Sequence, residues 1–400
     1  MLSQTSRPVI EATLPVVAEN IVDITTNFYG RLFAAHPQLL DGTFSRSNQR
    51  SGEQAKALAG SIAAFATHLL EHPDLVPERA LARIAHRHAA LDVRPEQYQV
   101  VYEHLFGAIA EVLGAAVTPE VASAWSEVYW LMANALIKIE AGLYLEQANQ
   151  SAWTPWRVAS IEPVAEGALA VRFEAADETP VTPSKAGHYV SVRVRLADGL
   201  RQARQYTLCN APGTGRAIIV RPEEGGEVSG MITSSLSVGD TVELSNPYGE
   251  LTLAEGAEPL VLVTGGIGAT PTASMLEQLV RSGSTREVLV LHAERSLRGW
   301  ALREQVSAAA AALPGLSAHV WVGAGGATTT VPGVHIHEGR LDLDAVRLPE
   351  GASWLLCGPL GFMRAVRDEA IARGASPDAI AYEVFGPDVW GAKEEAFAAA

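Results

Sequence analysis

Apolar residues recur three and four apart through the first 150 positions, the spacing that gathers them on one face of a helix. Ile21, Ile24, Phe28 and Leu32 form one stripe, Leu58, Ile62, Phe65 and Leu69 a second, and Met132, Leu136 and Leu143 mark a third. Pro77 and Pro95 stand where prolines open helices. No strand pattern interrupts this part, which predicts an all-α domain. Past "QANQSAWTPWRV" the period changes. "HYVSVRV" (188–194) alternates apolar and polar, as a half-buried strand does. "RQYTL", "AIIVR" and "GDTVELSNPYGELTL" add short β segments broken by glycine and proline, the mark of a small antiparallel β-barrel. From residue 259 the texture changes again. "PLVLVTGG" and "EVLVLHAE" read as strands around the helix "TPTASMLEQLVRSG", which ends at Gly283. "HVWVG", "SWLLCG", the helix "FMRAVRDEAIARG" and "IAYEVFG" follow. Strand and helix in alternation predict an α/β domain with a parallel sheet. The reading is multidomain: all-α over 1–148, an antiparallel barrel over 149–257 and an α/β domain over 258–400.

Composition narrows the class. The 400-residue chain is 48% hydrophobic and 19% charged, a folded, multidomain balance. Its net charge of −15 argues against nucleic acid or an anionic membrane as partner. Cys209 and Cys357 are its two cysteines, too few for a disulfide framework or a cysteine-held zinc. The N-terminus lacks the charged start and apolar centre of a signal peptide, and no apolar run is long enough to span a bilayer. A monomeric cytoplasmic protein is the expectation.

The stretch "IAHRHAAL" (84–91) holds the first candidate chemistry. On a helix, at about 100° per residue, Leu81, Ile84, His88 and Leu91 share a stripe. His86 and His88 fall roughly 200° apart and cannot chelate one ion together. His86 then meets water, and His88 is either a satisfied core histidine or a single axial ligand to a haem on that face. Glu140 follows Met132 and Leu136 at four-residue steps, and a carboxylate in an apolar seam needs a partner. His88, Glu140 and Tyr98, one turn into the next helix, could satisfy one another; otherwise Glu140 turns outward and Tyr98 is core. Tyr29 in "NFYGRLF" and Gln54 in "GEQAKAL" could donate to a ligand on iron, with Phe44 in the connection between them and Leu58 one turn beyond Gln54.

Over residues 1–145, "FYGRLF", "SNQRSGEQAKAL", "IAHRHAAL" and "RPEQY" resemble the globin domain of bacterial flavohaemoglobins. The resemblance implies haem b with His88 as its proximal iron ligand and Tyr98 and Glu140 as polarising partners. It implies Tyr29, Gln54 and Leu58 on the distal side, with Phe44 packed against the haem. Arg87 stands where that family usually has lysine, and the basic charge is kept.

Two further segments fit the same resemblance. In "RQYTL" (204–208), Arg204 could pair with a pyrophosphate, while Tyr206 and Thr207, with Gln205 beside them, could hold an isoalloxazine ring. In "EEGGEVSGMI" (223–232), Gly226 lets the backbone come close, and Ser229 opens a helix whose amides can bind phosphate. Together these resemble the FAD site of the ferredoxin-reductase family, and Tyr189 matches a flavin position of flavohaemoglobins. "VTGGIGATP" follows a strand and opens a helix, and it resembles that family's nicotinamide loop, here Gly265, Gly266, Ile267, Gly268, Ala269, Thr270 and Pro271. It is not a G-x-G-x-x-G fingerprint, because the third glycine is missing. "LLCGPLGFM" brings Cys357, Gly358 and Pro359 to the same crevice. In "YEVFGP" the resemblance makes Phe385 a stacking partner of the flavin and pairs Glu383 with Arg87 to tune the haem. Val384, with Gly386 and Pro387 in the same nicotinamide stretch, stands where the family usually has cysteine and has no thiol for redox work.

The resemblance implies a nitric oxide dioxygenase. It would oxidise NO to nitrate with O2 at the haem, using electrons passed from NADH or NADPH through FAD. A haem-flavin reductase of other acceptors such as hydroperoxides, or an oxygen or NO carrier or sensor, are the alternatives. Between NADH and NADPH the sequence is open: Arg295 and Arg298 could meet an adenosine phosphate that Glu294 would repel.

Overall fold

The computed structural model describes residues 1–42, 44, 46, 52–73, 75–323 and 330–385. They form two compact units. One takes Met1–Ala152 with Arg193–Arg204, the other Trp153–Val192 with Gln205–Phe385.

The first unit is helical through residue 145, as the periodicity predicts. Its helices are α1 (Ser6–Ala35), α2 (Glu53–Glu71), α3 (Glu78–Ala89), α4 (Pro95–Leu113) and α5 (Pro119–Leu145), with a 3-10 turn at Pro37–Leu40. Local chemistry sets the starts. Pro95 and Pro119 occupy first turns, where a missing N–H costs nothing. Gln97 Oε1 accepts from Arg94 N at 2.7 Å, and Thr118 Oγ1 accepts from Val121 N at 3.3 Å, so orphan donors are satisfied. Pro77 lies one residue outside α3, at its N-cap. Ile24, Phe28 and Leu32 of the first stripe are buried, as are Phe65, Leu69 and Leu136 of the others. Leu58, Ile62, Met132 and Leu143 pack on that core from partly exposed positions.

An antiparallel sheet of six strands follows: β1 (Thr154–Ala165), β2 (Ala168–Ala175), β3 (Tyr189–Arg195), β4 (Arg201–Thr207), β5 (Arg216–Val220) and β6 (Thr241–Leu244), in the order β4-β3-β6-β1-β2-β5. A bridge from Leu208, just past β4, to Ile218 in β5 joins the two edges, which makes the sheet a barrel. The β1–β2 hairpin turns at Gly167 (φ +69°). It escapes the sequence pattern because its register shifts twice, between Val158 and Ser160 and between Pro163 and Ala165; each bulge resets the alternation of period two.

The helix α6 (Glu227–Ser234) leaves the barrel, and an α/β layer completes the second unit. Its elements are β7 (Leu260–Gly265), α7 (Thr270–Arg281), β8 (Val288–Glu294), α8 (Arg303–Ala312), β9 (Leu316–Val322), β10 (Val334–Glu338), β11 (Ser353–Cys357), α9 (Leu360–Ala372) and β12 (Ile380–Glu383). The strands run parallel in the order β10-β9-β8-β7-β11-β12. The chain winds outward from β7 to β10, then returns to β11 on the other side of β7. That reversal is the switch point where open α/β sheets bind ligands. Among the described residues no helix is long and apolar enough to cross a membrane.

Candidate functional site

His88 is placed by its backbone turn and by two side-chain partners. The turn after α3 fixes its backbone: its carbonyl accepts from Leu91 N and Val93 N, both at 3.0 Å. Asp92, the one described non-glycine residue at positive φ (+61°), makes the bend, and Arg94 pairs with it at 2.5 Å. Arg94 then leads into α4, so Tyr98 arrives one turn later. His88 Nδ1 lies 2.8 Å from Glu140 Oε1 and 2.9 Å from Tyr98 Oη. Tyr98 donates to the same Glu140 oxygen at 2.5 Å. Glu140 is 2% exposed, so the expectation of an inward carboxylate holds. A carboxylate beside Nδ1 keeps the proton there and leaves the Nε2 lone pair for another ligand. Burial first, then the adjacent Glu140 carboxylate, pushes the Tyr98 phenol well above its ordinary range, so Tyr98 acts as a donor. Glu140 Oε2 is buried without a hydrogen-bond partner.

Tyr29 and Gln54 meet across α1 and α2 through a side-chain hydrogen bond, and burial raises the Tyr29 phenol against the lowering effect of that bond. The Tyr29 ring touches Phe28 (centroids 4.7 Å apart), Phe33 (5.6 Å) and Phe44 (6.1 Å). His88 keeps a third of its side-chain surface (33%), and Phe44, Leu58, Ile62 and Ile84 are likewise only partly covered although they pack on the helical core. A histidine held by a buried acid, with open apolar side chains and a phenol–amide pair in the same unit, is a donor set that suits a haem. His86 is half-buried in the last turn of α3.

The flavin-type residues divide between the units. Arg204, at the end of the first unit's share of β4, donates to the carbonyl of Ala203 at 2.7 Å. Gln205, Tyr206 and Thr207 continue the strand in the second unit. There Tyr189 is buried and pairs with Tyr248 through both backbone bonds (2.8 and 2.9 Å). The helix α6 begins at Glu227 with Gly226 as its N-cap. Ser229 therefore does not open it. Its hydroxyl closes the preceding turn instead, accepting from Glu223 N at 3.1 Å and donating to the Gly226 carbonyl. A side chain at Gly226 would come within 2.6 Å of that hydroxyl. Phe385 is 49% exposed at the end of the described chain, and Gly386 and Pro387 lie outside the described residues.

At the switch point the two glycine loops touch. A 3-10 turn, Gly266–Ala269, stands between β7 and α7, and the helix begins at Thr270, as the sequence reading has it. A Cβ on Gly268 would sit 2.6 Å from the Cys357 carbonyl, one on Gly358 3.0 Å from Gly265 N, and one on Gly265 3.1 Å from Pro359. The glycines are there because two backbones meet. Thr270 and Pro271 open α7, and Ile267 O accepts from the Thr270 hydroxyl. Cys357 is buried opposite Glu383 in the sheet. Burial, then the Glu383 charge, raises its thiol well above the usual range, which makes it an unreactive small apolar group. Val384 is buried as well. Glu294 is committed to the fold: it accepts from Arg295 N at 2.9 Å and pairs with Arg221 at 3.4 Å. The sequence reading passes over His292. It is buried against Trp300, bonded to Thr264 Oγ1 at 2.8 Å, and held down to about 3 by burial and then by Arg221. Its only signal is a polar residue inside the apolar run "EVLVLHAE". Arg87 is half-buried in the last turn of α3.

Residues 26–136 match the globin family, 155–253 the oxidoreductase FAD-binding domain and 262–368 the oxidoreductase NAD-binding domain. The chain is 39% identical to the flavohemoprotein of Chromobacterium violaceum, over 96% of this chain and 98% of that one. It is 36% identical to the flavohemoprotein of Rhizobium meliloti, over 98% and 100%. Among solved structures it resembles a flavohemoglobin from Malassezia yamatoensis with bound FAD and heme, at 43% identity and a TM-score of 0.90 over 96% of this chain and all of that one. The FAD/NAD-binding domain of the nitric oxide dioxygenase from Vibrio cholerae matches 58% of this chain and 99% of that one, at 28% identity and a TM-score of 0.54.

Proposed function

The chain belongs to the flavohemoprotein family, and from that premise we propose that it is a nitric oxide dioxygenase. It converts NO and O2 to nitrate with electrons from NADH or NADPH. The observation that carries the reading is the His88–Glu140–Tyr98 triad in one unit with the Tyr29–Gln54 pair. Haem b would supply redox-active iron here, and FAD would supply the means of splitting a nicotinamide's hydride into single electrons. His88 offers Nε2 to that iron. Glu140 and Tyr98 hold the Nδ1 proton in place and enrich the ring in electron density, which favours the oxidised metal. Tyr29 and Gln54 would donate hydrogen bonds to a ligand of the iron, and Phe44 and Leu58 would wall the pocket and limit water.

In the reductase part, Arg204 neutralises pyrophosphate charge. The first-turn amides of α6, opened by Gly226 and braced by Ser229, point at phosphate. Tyr189, Gln205, Tyr206, Thr207 and Phe385 hold the flavin ring. The Gly265–Pro271 loop and the Cys357–Pro359 turn take the nicotinamide nucleotide, with Val384, Gly386 and Pro387 after them. Arg87 and Glu383 together tune the haem. The domain divisions follow at 148/149 and 257/258. A monomer in the reducing cytoplasm suits two unpaired cysteines.

The experiment mixes haem- and FAD-loaded protein with NADH, O2 and NO and measures nitrate. Nitrate should form with stoichiometric loss of NO, and NADH should be consumed faster than with an alkyl hydroperoxide as acceptor. Nitrate formation no faster than in the haem-free protein would sink the reading.

A further inference from the structure

Within the first unit, the turn that carries Phe44 is tied to the strand that carries Arg204 by a set of bonds that the reaction above does not use. Gln202, in β4, is fully buried at 0% exposure. Its Nε2 donates to the Leu40 carbonyl at 2.8 Å and to the Arg201 carbonyl at 3.0 Å. Its Oε1 accepts from Arg46 N at 3.2 Å. Beside it, Asp41 accepts from Arg201 N at 2.7 Å and from Arg201 Nη2 at 2.8 Å. These bonds from Arg201 hold the Asp41 carboxyl below the usual carboxylate range. Arg46 pairs with Asp198 at 2.5 Å on the same hairpin. Gly42, at φ +97°, lets the turn pass close to Arg193, whose Cδ would lie 3.4 Å from a Cβ there.

A buried primary amide is tolerated only where its polar ends are paired. Leucine has nearly the same volume and would fill the space without that demand. The amide is therefore a positional constraint: it accepts only one placement of Leu40 and Arg46 against β4. Phe44 lies between those two residues in sequence, and its N donates to the Leu39 carbonyl at 3.1 Å. Arg204 lies two residues beyond Gln202, on the same side of the strand.

We propose that Gln202, seconded by the Asp41–Arg201 ion pair, is a positioning residue for electron transfer. It holds the strand bearing the flavin-side Arg204 to the turn bearing the haem-side Phe44, so that flavin-to-haem transfer depends on it and reduction of the flavin by nicotinamide does not. The inference rests on the haem and flavin assignments above, not on nitric oxide as the substrate.

The test uses the full-length, haem- and FAD-loaded Gln202→Leu variant. Stopped-flow spectra under anaerobic conditions follow flavin bleaching and haem reduction after mixing with NADH. Ferricyanide reduction reports the flavin alone. Haem reduction should slow by roughly tenfold to a hundredfold, the scale on which a misplacement of about an ångström acts. Ferricyanide turnover, haem content and melting temperature should stay as in the wild type. Asp41→Asn and Arg201→Gln sit at a partly exposed pair and test the same link without emptying the core. Each should slow haem reduction, and the double variant should be no slower than the worse single one, because the two residues act through one contact. Haem reduction within about twofold of wild type in all of these variants, or an equal fall in ferricyanide turnover, would overturn the proposal. Should Gln202→Leu not fold, the ion-pair variants decide alone by the same criterion. A wild type that makes no nitrate would end the dioxygenase reading and leave this comparison intact.

Discussion

His88 and His86 are two positions apart, roughly 200° around the helix, and their environments differ accordingly. His88 meets Glu140 and Tyr98; His86 sits half-buried on another face of α3. His88→Ala should abolish haem retention or shift the visible spectrum outright, while His86→Ala should leave the spectrum as it was. Absorption spectra of the two purified variants check this, and equal disturbance by both would contradict the helix geometry. The triad was legible in the sequence because a carboxylate and a phenol interrupt apolar stripes at helical spacing. Gln202 was not. In a strand of alternating polarity a glutamine reads as an outward position, and its partner carbonyl, Leu40, is 162 residues away in sequence. Ser229 misled for the opposite reason. Its serine looked like a helix start, but Gly226 takes that place, and the hydroxyl is used inside the turn.

At the scale of elements, periodicity found the long helices and five of the six parallel strands, but not β10, whose residues are partly buried or exposed. It missed β1 and β2, where two register shifts break the alternation. The nicotinamide loop was legible as glycine after a strand, but the reason for each glycine was not. The structure supplies it at Gly268, where the neighbouring atom is the Cys357 carbonyl of the opposite loop, 2.6 Å from a Cβ. Backbone cannot rotate away as a side chain can. Gly268→Ala should therefore push the two loops apart, raise the KM for NADH several-fold and cost about 1–3 kcal/mol of stability. Steady-state kinetics with ferricyanide and urea unfolding measure the two effects. Both values at wild-type level would show that the loops separate freely.

The two compact units turn the site assignments into a prediction about the whole molecule. His88, Glu140, Tyr98, Tyr29 and Gln54 all lie in Met1–Ala152, and the Gly265–Pro271 and Cys357–Pro359 loops lie in Gln205–Phe385. A ligand stabilises what it binds by mass action, about 4 kcal/mol when present at a thousand times its dissociation constant. Haem bound to the first unit should raise that unit's unfolding temperature and leave the second unit's transition where it was. A nicotinamide nucleotide should do the reverse. Differential scanning calorimetry of haem-free and haem-loaded protein, each with and without NADP⁺ or NAD⁺, reads both transitions in one experiment. The nucleotide giving the larger upward shift of the second transition identifies the preferred cofactor, the choice that Glu294, bound up with Arg221 and the Arg295 amide, leaves open. A haem-induced shift confined to the second transition would place the haem away from His88 and break the assignment at its first residue.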